Sequence, residues 1–61
     1  MYSKFEALLK EHNLSAYKVS KDTSISQSTL SDWKNGKSCP KIDKIIILSK
    51  YFSVPVEYFL S

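Results

Sequence analysis

The chain has 61 residues, of which 43% are hydrophobic and 13% aromatic, enough for one small core and a single domain spanning residues 1–61. A formal net charge of +3 and an isoelectric point near 9.1 are compatible with a polyanionic partner, and all nine basic residues are lysines. The single cysteine, Cys39, excludes an internal disulfide and a cysteine-rich zinc site.

The composition also excludes several classes of protein. One histidine, one cysteine and scattered carboxylates form no acid/base or nucleophile constellation, so we expect neither an enzyme nor a cofactor or metal. The amino-terminal stretch "MYSKFEALLKEH" has no apolar core of a signal peptide, and the apolar run 45–48 is too short to cross a bilayer. We therefore expect a cytoplasmic protein.

Helical periodicity predicts two helices in the first part of the chain. Apolar residues spaced i, i+3, i+4, i+7 from Tyr2 predict a first helix that ends near His12. Ser15 is a suitable N-cap for a second helix that runs to about Asp22. Its expected inward face is Ala16, Val19 and Ser20.

A third helix is predicted from Gln27 to Lys34, with Ser26 as its N-cap. Leu30 and Trp33 form its inward face, which Ile25 joins from the preceding turn. Gly36, the single glycine, stands where a helix C-terminus favours a positive φ.

The remaining residues predict two more helices. The fourth runs from Ile42 to Phe52, and Pro55 opens a short fifth helix with the sequence "VEYFL". The expected inward face of the fourth helix is Ile42, Ile45, Ile46, Ser49 and Phe52. No segment alternates with period two, so the sequence predicts an all-α domain of five short helices.

The second and third helices, joined by a turn of three to four residues, describe a helix-turn-helix. In that arrangement the first turn of the third helix is exposed and free to meet base edges in a major groove. The candidate base contacts are Gln27, Ser28, Thr29, Ser31 and Asp32. The alternative is that these residues form an ordinary solvated helix surface.

The segment "LSAYKVSKDTSISQSTLSDWKNGK", which begins at Leu14, resembles the phage-repressor helix-turn-helix family of Cro and Xre-like regulators. The resemblance continues through Pro40 to the carboxy-terminal "SVPVEYFL" and covers nearly the whole chain. It implies a compact lambda-repressor-like fold and a bacterial or phage-encoded, nucleoid-associated transcriptional regulator. It further implies a repressor that binds double-stranded DNA sequence-specifically at an inverted-repeat operator.

The same resemblance implies where phosphates and a second subunit would bind. Together with the affinity of helix N-termini for anions, it marks Ser15, Lys18, Asn35, Lys37 and Lys41 as candidate phosphate contacts. The family generally forms homodimers through its carboxy-terminal helices. Here Tyr51, Tyr58 and Leu60 are candidates for that surface, and the alternative is that Phe59 and Leu60 complete the core.

Four positions depart from the family pattern, and the first is Ser20, where the family usually has alanine. Ser24 replaces the usual turn glycine, and Ala16 replaces a glutamine that helps to fix the third helix on DNA. Asp32 is acidic on the supposed DNA face, and we expect it to pair with a nearby lysine. These departures and the lack of arginine leave a second hypothesis open, a protein-interaction module such as an antitoxin or antirepressor-binding domain.

Overall fold

The computed structural model describes residues 2–60, in which five helices follow one another without a strand. They are α1 Tyr2–His12, α2 Ala16–Thr23, α3 Gln27–Lys34, α4 Ile42–Phe52 and α5 Val56–Leu60. The predicted all-α, five-helix architecture is therefore confirmed.

Serine caps fix the starts of the two helices in the helix-turn-helix. Ser15 Oγ accepts a hydrogen bond from the Lys18 N–H at 3.1 Å, and Ser26 Oγ accepts one from the Thr29 N–H, also at 3.1 Å. Each serine satisfies one of the backbone donors that a helix start leaves without an intrahelical partner. Both predicted caps are confirmed.

Left-handed residues end the helices. The predicted positive φ is present at Gly36 (74°). Ser24 (62°), which replaces the usual turn glycine, also adopts a positive φ, as do Asn13 (56°) and Ser53 (58°). A Cβ on Gly36 would meet no atom within 4 Å, so the backbone angle, and not lack of space, favours glycine there. The sequence analysis did not predict a positive φ at Asn13 or Ser53, because neither residue is a glycine.

One apolar core joins all five helices. Aromatic rings lie at its centre: the Phe5 and Trp33 centroids are 5.4 Å apart, and the Trp33 and Phe59 centroids 6.3 Å apart. The buried residues are Phe5, Leu8, Leu9, Val19, Ile25, Leu30, Trp33, Ile45, Leu48, Phe52 and Phe59. Leu30, Trp33 and Ile25 therefore hold α3 as predicted.

The predicted inward face of α4 was wrong in part. Ile42 is 58% exposed and Ile46 39% exposed, whereas Leu48 is fully buried. The four successive apolar residues from Ile45 to Leu48 are compatible with two adjacent stripes, and the packing selects the stripe that contains Leu48. Ser49 is buried as predicted, and its hydroxyl donates to the Ile45 carbonyl at 2.8 Å.

Polar contacts hold α2 at its carboxyl end. The Ser20 hydroxyl donates to the Ile25 carbonyl at 2.6 Å, which ties α2 to the turn before α3. The Tyr51 hydroxyl donates to Asp22 Oδ2 at 2.6 Å, which ties α2 to α4. The helix-turn-helix is thus joined to the rest of the domain by a polar link as well as by the core.

We predict that Ser24→Gly stabilises the domain. A non-glycine residue in the left-handed region costs about 1–2 kcal/mol, and the extra flexibility of glycine in the unfolded chain returns about 0.5–1 kcal/mol of that. The net gain of about 0.5–1 kcal/mol corresponds to a rise in Tm of about 2–8 °C for a domain of this size.

Thermal unfolding followed by circular dichroism measures the shift. Ser24→Ala is the matched control, because it removes the hydroxyl and keeps the strained backbone, and it is expected to bring no gain. If the Tm of Ser24→Gly were at or below that of the unaltered protein, the proposed backbone strain at Ser24 would be contradicted.

Candidate nucleic-acid interface

The outer face of α3 presents short polar side chains. Burial of Leu30 and Trp33 fixes the rotation of the helix, and Gln27, Ser28 and Ser31 on its other side are exposed. Their hydroxyl and amide groups are therefore available to an external partner.

Thr29 and Asp32, the other two candidate base contacts, are half-buried. Thr29 Oγ1 lies 2.8 Å from Ser26 Oγ, so its hydroxyl takes part in the helix cap. The Asp32 carbonyl accepts the Lys37 N–H at 2.8 Å and the Ser38 N–H at 3.4 Å, which shapes the loop after α3.

The expected ion pair of Asp32 with a lysine was wrong. In residues 2–60 the ion pair is instead between Lys18 and Asp22, whose nitrogen and oxygen lie 3.4 Å apart. Lys18 and Asp22 stand one helical turn apart on α2, the spacing at which opposite charges meet. The part played by Asp32 was missed because it comes from its backbone and not from its carboxylate.

A groove of about 220 Å³ lies on one flank of α3, where it meets the start of α2. Its lining residues are Tyr2, Ala16, Gln27, Leu30, Ser31 and Lys34. Two candidate base contacts, Gln27 and Ser31, thus share this groove with Ala16. Gln27 and Ala16 line the same wall of this groove, and the methyl side chain of Ala16 provides no polar group there.

A second groove, of about 530 Å³, lies on the other flank of α3, where it meets the start of α4. Its lining residues are Thr29, Ser38, Cys39, Pro40, Lys41, Asp43 and Lys44. The candidate contacts Thr29 and Lys41 meet here. Lys44, which the sequence analysis missed, lies one turn beyond Lys41, and that spacing is the signal that would have found it.

The start of α4 combines a backbone dipole with lysine side chains. Its N-cap residue, Lys41, makes no side-chain cap hydrogen bond, so the positive end of the helix faces the second groove with lysines beside it. Asp43 Oδ1 accepts the Lys44 N–H at 2.9 Å and partly offsets this positive charge. The balance favours an anion at the mouth of the groove.

The other candidate phosphate contacts are dispersed around these grooves. Ser15, Asn35 and Lys37 are exposed at the start of α2 and in the loop after α3. The Asn35 N–H donates to the Ser31 carbonyl at 3.0 Å, so the loop backbone is fixed. Lys18 lies near Ser15, and its ammonium group pairs with Asp22.

The three candidate dimer contacts differ in exposure. Leu60 is 56% exposed, whereas Tyr51 and Tyr58 are half-buried. The Tyr51 ring packs edge-on against Phe52 at 5.0 Å, and the Tyr58 ring lies 5.3 Å from the Lys4 ammonium. Both tyrosines thus make contacts within the chain.

The Asp22–Tyr51 hydrogen bond shifts the pKa values of both groups. It lowers the pKa of the Asp22 carboxyl, with a further lowering by Lys18. It raises the pKa of the Tyr51 phenol, as does partial burial. The bonded forms, a carboxylate and a neutral phenol, are therefore the ones present around neutral pH.

Comparison with known proteins identifies the family. A family model described as helix-turn-helix matches residues 5–59. The chain belongs to the Xre/Cro-type helix-turn-helix family. This is a family of DNA-binding regulators and not of enzymes, so the fold and the family that the sequence indicated are confirmed.

A curated member of the family is similar to this chain. The HTH-type transcriptional activator BcrR of Enterococcus faecalis is 29% identical over 58 residues, which are 95% of this chain and 28% of that protein. The chain thus spans less than a third of the length of this relative. No solved structure matches the chain at a comparable level of significance.

Two further properties concern the part of this helix-turn-helix protein that the structure describes. Between residues 2 and 60, no three side chains of the metal-binding types lie together as a metal site would require. Over the same residues, none of the helices has the length and apolar character needed to cross a membrane.

We predict that Lys41→Ala weakens binding to DNA duplexes of different sequence by a similar factor. If Lys41 neutralises one phosphate, its loss reduces the slope of log affinity against log salt concentration by about 0.9. Fluorescence anisotropy over a salt series measures the slope.

Lys50→Ala is the matched control. It removes the same charge from the opposite end of α4, so net charge alone would change both variants alike. Equal slopes for the two variants would contradict a phosphate at the second groove.

Proposed function

We propose that this chain reads the base sequence of double-stranded DNA with α3 in the major groove. The observation that carries the proposal is the division of α3 into two faces. Leu30 and Trp33 are locked in the core, and Gln27, Ser28 and Ser31 are exposed on a rigid helix. Membership of the helix-turn-helix family supports the same docking.

The exposed side chains suit base edges chemically. The Gln27 amide can form two hydrogen bonds with N6 and N7 of an adenine, and the hydroxyls of Ser28 and Ser31 can donate or accept. The methyl group of Thr29 suits a thymine methyl, and the Asp32 carboxylate can accept from N4 of a cytosine. Because the chain has no arginine, bidentate recognition of guanine would depend on lysine.

Phosphate contacts on both flanks of α3 would hold the helix in the groove. The second groove offers Lys41 and Lys44, and Lys37 and the Asn35 backbone lie in the adjoining loop. On the other flank the start of α2 offers Ser15, and Lys34 lines the first groove. Contacts of this kind fix the register of a protein on DNA, while base contacts specify the sequence.

The proposed binding form is a homodimer on an inverted repeat. A single module of this size buries only about 600–1,000 Å² on DNA, and two modules on half-sites about one helical turn apart provide useful specificity. Exposed Leu60, with Tyr58 and Tyr51 near the carboxyl end, is the proposed contact between subunits.

The proposed regulatory effect is repression. The relative BcrR is named an activator, and this chain corresponds to 28% of it. Activation requires a surface that recruits the transcription machinery, whereas a domain that occupies a promoter blocks it by steric exclusion alone. Binding to DNA is therefore sufficient for repression.

We predict that selection from a randomised duplex library near physiological salt enriches an inverted repeat with half-sites about ten base pairs apart. Gln27→Ala should lose the preference at one adenine position in each half-site, by about 1–3 kcal/mol of discrimination. Ser3→Ala, on the exposed surface of α1, is the control for an unrelated loss of a polar group. A flat selection would favour the protein-interaction module, and an unchanged preference in Gln27→Ala would contradict the docking of α3.

We also predict repression in vitro. Transcription by purified polymerase should fall as the protein is added to a template whose promoter overlaps the selected sequence. The control template carries a scrambled site, from which transcription should stay constant. An increase in transcription from the selected site would contradict repression and indicate an activator.

A further inference from the structure

We propose that Tyr51 and Asp22 are positioning residues for DNA binding. Their hydrogen bond between α4 and α2 fixes the distance between the two helix N-termini that meet phosphates on either flank of α3. This inference rests on the proposed function.

The bond joins the carboxyl ends of the two helices. Asp22 is the next-to-last residue of α2 and Tyr51 the next-to-last of α4, and they are 29 residues apart in the chain. The candidate phosphate contacts Ser15 and Lys41 lie at the opposite, amino-terminal ends. The bond therefore acts at one end of each helix, and the DNA would act at the other.

Helix geometry shows why a small rotation of α4 at the Asp22–Tyr51 hydrogen bond matters. The 11 residues of α4 extend over about 16 Å at ~1.5 Å per residue. A tilt of about 5° at the carboxyl end then moves the amino-terminal end by about 1.4 Å. Because hydrogen bonds to phosphate are made within a range of about 0.5 Å, a shift of this size breaks such a contact.

The two oxygens of Asp22 are held by two different partners. Oδ2 accepts from the Tyr51 hydroxyl at 2.6 Å, and Oδ1 lies 3.4 Å from the Lys18 ammonium. A carboxylate acceptor makes a shorter and stronger hydrogen bond than a neutral one. Lys18, on α2, thus holds the Asp22 carboxylate in one orientation. The hydrogen bond from Tyr51 to that carboxylate then fixes α4 relative to α2.

The remainder of the helix-turn-helix moves with α2. The Ser20 hydroxyl bonds to the Ile25 carbonyl, and Ile25 is buried between α2 and α3. The tilt of α2 relative to α4 therefore also sets how α3 stands relative to Lys41. Tyr51 and Asp22 would influence base reading without contact with DNA.

The test compares Tyr51→Phe with a matched pair at the other partner, Asp22→Ala and Asp22→Asn. Tyr51→Phe keeps the ring on Phe52 and removes only the hydroxyl. Both Asp22 variants lose the charge that pairs with Lys18, and only Asn keeps an oxygen that can accept from Tyr51. Affinity for the selected duplex is measured well below Tm, with the folding of each variant confirmed by circular dichroism and its dimeric state confirmed by sedimentation.

We expect Tyr51→Phe to bind the selected duplex about fivefold more weakly, the loss that corresponds to one hydrogen bond. Asp22→Ala should bind about fivefold more weakly than Asp22→Asn, which loses the same charge and keeps the acceptor. In the Asp22→Ala background, Tyr51→Phe should weaken binding no further. Ethylation of individual phosphates should interfere less in Tyr51→Phe at the phosphates near Lys41. If the Asp22–Tyr51 bond only stabilised the fold, Tyr51→Phe would lower Tm and leave the pattern of ethylation interference unchanged.

Two different failures can be distinguished. If the unaltered protein selects no duplex, the proposed function is wrong. If it selects a duplex, Tyr51→Phe binds that duplex with unchanged affinity and Asp22→Ala binds it as tightly as Asp22→Asn, the positioning role is wrong and the proposed function stands.

Discussion

The burial of Trp33 is the constraint on which the rest of the structure depends. Its ring packs against Phe5, Tyr2 and Phe59, so one side chain of α3 fastens that helix to both ends of the chain. Truncation of a buried tryptophan costs about 3–5 kcal/mol. A 61-residue domain has only about 3–9 kcal/mol of stability in total, at about 0.05–0.15 kcal/mol per residue. This contact therefore decides both that the domain folds and which face of α3 remains outside.

Short helices make the helix ends important in this domain. Helices of eight residues, such as α2 and α3, are unstable in isolation. Ser15 and Ser26 stabilise their starts, and left-handed residues such as Ser24 allow the chain to reverse direction after them. The tight turns between helices place the starts of α2 and α4 on opposite flanks of α3. This arrangement suits the surface to DNA.

Electrostatics and packing have separate roles at this surface. Lysines such as Lys37 and Lys41 are exposed point charges, which favour any phosphate without specifying a sequence. In the proposed complex, discrimination between sequences would depend on how rigidly α3 is held between these charges. The core through Trp33 and the polar link from Asp22 to Tyr51 would provide that rigidity from two different sides of the helix-turn-helix.

The sequence by itself determined the five helices, the serine caps and the burial of Trp33, because spacing and capping are local properties of the chain. The family was indicated by the resemblance of the segment that begins at Leu14 to known regulators. The sequence did not determine which stripe of α4 is buried, because the run from Ile45 to Leu48 is apolar at every position. It also did not reveal the Asp22–Tyr51 bond or that Thr29 and Lys41 line the same groove. Only the tertiary structure decided these features, because each depends on how two helices that are distant in the chain, or a helix and a loop, are rotated against one another.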